Sequence, residues 1–169
     1  PGWSSSSNTP FRRHKTWVHE GGISTPLIAH WPQGISARGE LRHHPGHLVD
    51  VVPTILQVVD AQKPSEINGQ KVPPAPGHSF FDVLRKDDPT LDGHFWWLHD
   101  KHRAIRAGDW KLVALAGKQW ELYDLSKDRG ESTDLAVQNP AKVNELSNLW
   151  EQDLNATIQL VKSGPNKPR

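Results

Sequence analysis

Lys15 closes a run of side chains, Arg12-Arg13-His14-Lys15, that are cationic or become so on protonation, and it stands just before the pair Gly21-Gly22 and an apolar stretch. A lysine grouped with other cations beside a flexible turn suits an anion, because ammonium and guanidinium groups donate charge-assisted hydrogen bonds to its oxygens. A solvated lysine in a basic surface loop is the plain alternative on these residues alone. Glu20, next to two glycines, reads as structural, a carboxylate that fixes the turn by accepting backbone N–H groups. His14 and His19 are open on either reading. His43, His44 and His47 lie in a basic, glycine-flanked loop without an acidic or thiol partner at ligand spacing, and do not make a zinc site.

Several elements must position these groups. Pro1 to Pro10 is a serine-rich polar loop. Pro26 to Pro32 is a short apolar run closed by proline and reads as a strand buried on both faces. Leu48, Val51, Val52, Ile55, Leu56 and Val59 recur at helical intervals and predict a helix over about Asp50–Val59, with Pro53 tolerated in its first turn. Ala61 to Gly77, with four prolines, reads as loop, and Ser79 to Arg85 as a short helix. Four strands follow, at His94–His99, Arg103–Ala107, Trp110–Ala114 and Trp120–Leu125. Their short glycine-bearing connections, Gly108-Asp109 and the stretch around Gly117, predict an antiparallel meander. Pro140 opens a long helix, with Asn139 as N-cap and an apolar face of Val143, Leu146, Leu149, Trp150, Leu154 and Ile158. The residues from Ser163 onward form a tail.

Bulk composition bounds the function classes. A chain of 169 residues with 35% hydrophobic and 23% charged residues is globular in character. Twenty basic and 19 acidic side chains leave a net charge of +1, which gives no field for nucleic acid or an anionic membrane. No apolar run reaches the roughly 20 residues of a membrane helix. Zero cysteines excludes disulfides and thiol chemistry, and zero methionines with a Pro1 start reads as a cleaved product or a portion of something longer.

The ordered series Asn8-Thr9-Pro10-Phe11-Arg12, Lys15, Glu20-Gly21-Gly22-Ile23, Thr25-Pro26 and Trp31-Pro32 closely resembles the segment of the formylglycine-dependent (type I) sulfatases that carries an active-site lysine and enters the main sheet. Downstream, Asp50, Pro53, Thr54 and Leu56 resemble that family's Asp-x-x-Pro-Thr-x-Leu helix. Trp97-Leu98-His99, Arg103 to Val113 and Trp120 to Leu125 resemble its C-terminal sheet, and the match runs from Asn8 to about Trp150. Many relatives have His-Glu-Gly-Asn-Arg-Ala where this chain reads His99-Asp100-Lys101-His102-Arg103-Ala104, which obscures the leaving-group specificity. Ser163-Gly164-Pro165 matches the start of the family's Ser-x-Pro-x-Arg signature, but the fifth position is Lys167, and Ser163 is rejected as a nucleophile.

The resemblance implies the C-terminal portion of a sulfatase, an arylsulfatase-like hydrolase of aryl or carbohydrate sulfate esters. Its fold would be α/β, a partial alkaline-phosphatase-like sulfatase fold. Residues 1–92 would complete the catalytic α/β domain, 93–162 would form a subdomain of antiparallel sheet and long helix, and 163–169 a tail. Lys15 is then the catalytic, sulfate-binding residue, with His99 and Arg12 as substrate contacts and no metal ligand in this chain. Calcium and formylglycine would belong to the complete enzyme, held by a missing N-terminal portion, so the chain alone is expected to be inactive. The sequence carries no address, and the resemblance is compatible with a periplasmic or secreted setting. Two other readings stand beside it. A noncatalytic carbohydrate-binding or interaction module would use the eight tryptophans as an exposed platform. A related phosphatase or phosphonate hydrolase would differ in the bond cleaved.

Overall fold

A computed structural model of the chain describes residues 2–73, 76–86 and 93–163. It divides into two compact units. One holds the described residues of Pro1–Leu27 and Asp92–Gln159, the other those of Ile28–Leu91 and Leu160–Arg169. The first 27 residues thus group with the C-terminal sheet rather than with residues 28–91.

The first unit contains α1 (Gly2–Ser7), the single-turn α2 (Glu20–Ile23) and four strands, β3 (His94–His99), β4 (His102–Ala107), β5 (Trp110–Ala114) and β6 (Glu121–Asp124). The strands pair antiparallel in sequence order, as the meander pattern predicts, with Trp97 opposite Ala104, Ile105 opposite Leu112 and Lys111 opposite Tyr123. Asp100 and Lys101, at φ 48° and 67°, make the two-residue turn between β3 and β4, whose backbone twist matches the strands it joins.

Both faces of this sheet are covered, which explains why its strands carry apolar side chains on successive residues. On one face Ile105, Leu112 and Leu122 pack with Leu146 and Trp150 of α5 (Pro140–Ser163), and Val143, Leu149 and Leu154 extend that contact. The apolar spacing of the helix is therefore the side it presents to the sheet. Asn139 precedes it: its carbonyl accepts from Val143 N–H at 3.1 Å, while its side-chain amide donates to Leu135 O at 3.0 Å. On the other face Ala104, Val113, Tyr123 and Leu125 enclose Val18, with Ile23 and Trp97 alongside. Trp96 and Trp97 consequently belong to opposite faces. Trp96, Trp97, Trp110 and Trp120 are all half-buried against one core or the other, so they make no exposed stacking platform.

The second unit contains α3 (Val51–Val58), preceded by a 3₁₀ turn at Leu48–Asp50, and α4 (Phe81–Arg85). The Asp50 carboxylate accepts from His47 N–H at 2.7 Å and His78 N–H at 2.9 Å, tying the start of α3 to the segment before α4. His47 takes part in this cap, since its Nδ1 accepts from Val49 N–H at 3.3 Å.

Two expectations need correction. The stretch read as loop holds a small hairpin, β1 (Glu66–Ile67) and β2 (Gln70–Lys71), turned by Asn68 and Gly69 at φ 52° and 77°. The Asn-Gly pair is itself a hairpin signal, outweighed in the reading by the surrounding prolines. Pro26–Pro32 is not a strand. Among the described residues it pairs with no strand, and Leu27 and Ile28 are 65% and 89% exposed, because an apolar run becomes a strand only where a neighbour completes the ladder. The tail residues 164–169, with most of the Ser163–Lys167 stretch, lie outside the described residues.

Candidate anion-binding site

Lys15 rides on a loop that is stiff for reasons written in its backbone. Gly21 N–H donates to Arg12 O at 2.9 Å, Trp17 N–H to His14 O at 3.1 Å and Gly22 N–H to His19 O at 2.8 Å, so residues 12–22 close on themselves. Glycine is required at both contact points. A Cβ on Gly21 would lie 2.3 Å from Arg13 O, and one on Gly22 2.0 Å from Trp17 O. On either side of Lys15, Arg13 and Thr16 adopt φ 72° and 89°, and for a β-branched residue such as Thr16 that is a strained conformation. Lys15 itself is exposed, and its ammonium makes no hydrogen bond or ion pair among the described residues.

The loop is held to the sheet by a buried charge cluster. Lys111 of β5 is fully buried, as is Glu131, and Glu20 is 3% exposed. Lys111 Nζ donates to Glu20 Oε1 at 2.8 Å and stands 2.8 Å from Glu131 Oε1, the latter an ion contact outside hydrogen-bond geometry. Glu131 Oε2 accepts Glu20 N–H at 2.7 Å, so Glu20 is gripped by side chain and backbone together. Burial pushes the Glu20 carboxyl up, but the Lys111 charge and hydrogen bonds from Lys111 and Arg129 outweigh it and hold the group below its ordinary range. For Glu131 burial wins and the carboxyl lies above its ordinary range, with the Glu20 charge adding to the rise. Glu20 is structural, as expected, but through this cluster rather than by accepting turn N–H groups.

A second knot sits beside it. Glu121 Oε2 accepts from Tyr123 Oη at 2.6 Å and from Arg12 Nη1 at 3.1 Å, and lies 3.3 Å from His19 Nε2. Arg12 Nη1 also reaches Tyr123 Oη at 2.8 Å and Glu131 O at 3.2 Å. Glu121 is held below its ordinary range: burial opposes this, but Tyr123, His19 and Arg12 together prevail. An ionised Glu121 makes His19 Nε2 the protonated nitrogen, leaving Nδ1 buried without a partner. Protonating Nδ1 would bury an unmatched N–H beside Arg12 and Lys111. Burial, with those charges adding, therefore pushes His19 down to about 4 despite its hydrogen bond to Glu121.

A pH dependence follows. Because the folded pKa is below the ordinary 6.5, the unfolded chain binds a proton that the folded chain refuses as pH falls from 6.5 towards 4, so stability rises with pH through that window. The shift corresponds to about 3 kcal/mol lost on acidification. Urea denaturation between pH 7 and 4 should show this slope, and His19→Gln should flatten it.

Among the three site residues read from sequence, Lys15 and Arg12 share the loop but differ in their settings. Lys15 is in solvent, whereas Arg12 is anchored through Nη1 with 35% of its side chain exposed. His99 ends β3, 60% exposed and 3.6 Å from the Asp100 carboxylate. Its strand partner His102 packs against Trp17, with ring centroids 4.8 Å apart and the planes tilted by 43°, so the hairpin end bearing His99 abuts the Lys15 loop. An open depression of about 540 Å³ adjoins Arg12, lined also by Glu121, Glu131 and Asp134. Its acidic balance does not suit an anion. Among the described residues no group of three or more His, Asp or Glu is placed to hold a metal ion. Sequence reasoning missed Lys111, Glu131, Glu121 and Tyr123.

A cation-bearing loop is thus pinned on one face of an antiparallel meander whose other face is covered by the long helix. The chain belongs to the family described as N-sulphoglucosamine sulphohydrolase, C-terminal, which matches residues 12–159. It is 32% identical over 158 residues to an uncharacterized sulfatase of Schizosaccharomyces pombe, covering 89% of this chain and 28% of that protein. A sulfatase of Formosa agariphila is 29% identical over 155 residues, covering 81% of this chain and 27% of that one. Among solved structures, Ps i-CgsB in complex with k-i-k-neocarrahexaose superimposes with a TM-score of 0.73 at 25% identity, covering 86% of this chain and 32% of that one. The chain thus spans less than a third of the length of these relatives.

Proposed function

We propose that this chain is the C-terminal portion of a sulfatase that hydrolyses aryl or carbohydrate sulfate esters, with Lys15 as the catalytic cation that binds the sulfate group. The observation that carries the reading is an exposed ammonium, unpaired among the described residues, on a strained, closed loop inside a segment matched to a sulfatase family. When the ester S–O bond breaks, negative charge grows on the bridging oxygen. A donor fixed in advance stabilises that charge without having to reorganise. His99 contacts the substrate from the neighbouring hairpin end. Arg12 does so through its Nε and Nη2 groups, which are unengaged among the described residues, while Nη1 keeps the guanidinium in place.

Formylglycine and calcium, implied by the family resemblance, do not fit the residues of this chain: among the described residues no acidic cluster is available to hold the metal. A further N-terminal portion would supply them. Such a portion would cover the apolar stripe on and beside α3, where Leu48, Val52, Ile55 and Val59 are each more than half exposed, and the Pro26–Pro32 segment, which pairs with no strand among the described residues. The half-buried tryptophans favour this reading over a binding module.

Sulfate release from p-nitrophenyl sulfate tests the proposal. The full-length protein should turn over the sulfate in preference to p-nitrophenyl phosphate, and the 169-residue chain alone should give no rate above background, because cationic stabilisation does not replace a nucleophile. Reproducible turnover by the chain alone, or preference for the phosphate, would refute it.

A further inference from the structure

We infer that Lys111, fully buried on β5 and out of contact with solvent, is a positioning residue for Lys15, acting through Glu20; the inference rests on the sulfate-binding reading of Lys15 given above. The loop of residues 12–22 is internally closed by three backbone hydrogen bonds and by two glycines with no room for a side chain, so it moves as a piece. Its orientation is therefore decided at its base. There Glu20 is the junction: its carboxylate is held by Lys111 and Arg129, and its N–H by Glu131, which Lys111 also contacts. Among the described residues Lys111 is the one cation in contact with both buried carboxylates. Arg129, 55% exposed on its side chain, reaches Glu20 but not Glu131, and its other contacts are Ser24 Oγ at 3.2 Å and the Phe11 ring.

Removing the Lys111 charge leaves Glu20 and Glu131 facing each other at 3% and 0% exposure. Like charges held that close in a dry site either separate or take up a proton. Separation moves the Glu20 end of the loop and the Lys15 ammonium with it, and a proton on Glu131 makes it a weaker acceptor for Glu20 N–H, which loosens the same end. A displacement of about 1 Å at a catalytic donor costs about 100-fold in rate.

The experiment is a double-mutant cycle in the full-length protein, reading kcat/KM for an aryl sulfate and the inhibition constant of inorganic sulfate. The single variants are Lys15→Ala and Lys111→Met, and the double variant combines them. If Lys111 works through Lys15, Lys111→Met alone lowers kcat/KM about 100-fold and weakens sulfate inhibition. The double variant is then no worse than Lys15→Ala by more than about 2-fold, since coupled residues are non-additive. Glu131→Gln keeps an acceptor for Glu20 N–H while removing one charge. It gives a smaller loss with the same non-additivity, and decides the matter where Lys111→Met does not fold. A purely structural role would lower the melting temperature while leaving the rate per folded molecule unchanged, or would multiply with Lys15→Ala, and either result overturns the inference while the function stands. A near-normal Lys15→Ala rate would remove the sulfate-binding reading itself, and the positioning role with it.

Discussion

Replacing Lys15 by alanine in the full-length protein should lower turnover of an aryl sulfate by roughly 100-fold to 1,000-fold, the scale of losing one preorganised donor at a developing negative charge. The loss should fall on kcat rather than KM alone, because the interaction strengthens as charge moves onto the bridging oxygen. The structure gives a reason to expect the upper part of that range. Strained conformations at Arg13 and Thr16, each costing about 1–3 kcal/mol, persist only where surrounding contacts over-determine them. Here Arg13 lies over the Trp17 ring at 4.8 Å, Trp17 packs against the His102 ring, and Arg12 and Glu20 anchor the ends. Lys15→Ala removes an exposed side chain with no partners of its own, so stability should be unaffected, and steady-state kinetics together with a melting curve would separate the two effects.

Trp150→Ala should destabilise the sheet-bearing unit by about 3–5 kcal/mol, the cost of deleting a large aromatic from a packed core. Trp150 is 4% exposed and meets Trp96 and Trp120 edge-on, with ring centroids 6.4 Å and 6.0 Å away. Its indole Nε1 donates to Trp97 O at 3.1 Å, engaging a carbonyl of β3, which lies at the edge of its sheet. Trp150→Phe keeps most of the packing and loses only that hydrogen bond, so it should cost about 1 kcal/mol. The difference between the two substitutions is readable from urea midpoints at constant m-value.

Much of this was legible in the sequence because it is local. The meander from His94 to Leu125 and the helix from Pro140 follow from periodicity and turn residues a few positions apart, and the structure reproduces both. Lys15 was singled out by its immediate neighbours. What was not legible depends on contacts across long separations. Lys111 lies in Trp110-Lys111-Leu112-Val113, where strand alternation alone would turn a lysine towards water. It is buried because residues 18–23 cover that face, and its partner Glu20 is 91 positions away. Glu131 carries no local signal at all. Pro26–Pro32 shows the converse failure, since its composition specifies burial but no neighbouring strand among the described residues provides it.

A crystal structure of the full-length protein with a bound, unhydrolysed sulfate ester tests the central claim most directly. The account predicts the Lys15 ammonium at hydrogen-bond distance, about 2.7–3.1 Å, from an oxygen of the sulfate, with the loop of residues 12–22 in its present conformation. A sulfate group bound elsewhere, with Lys15 left in solvent, would contradict it.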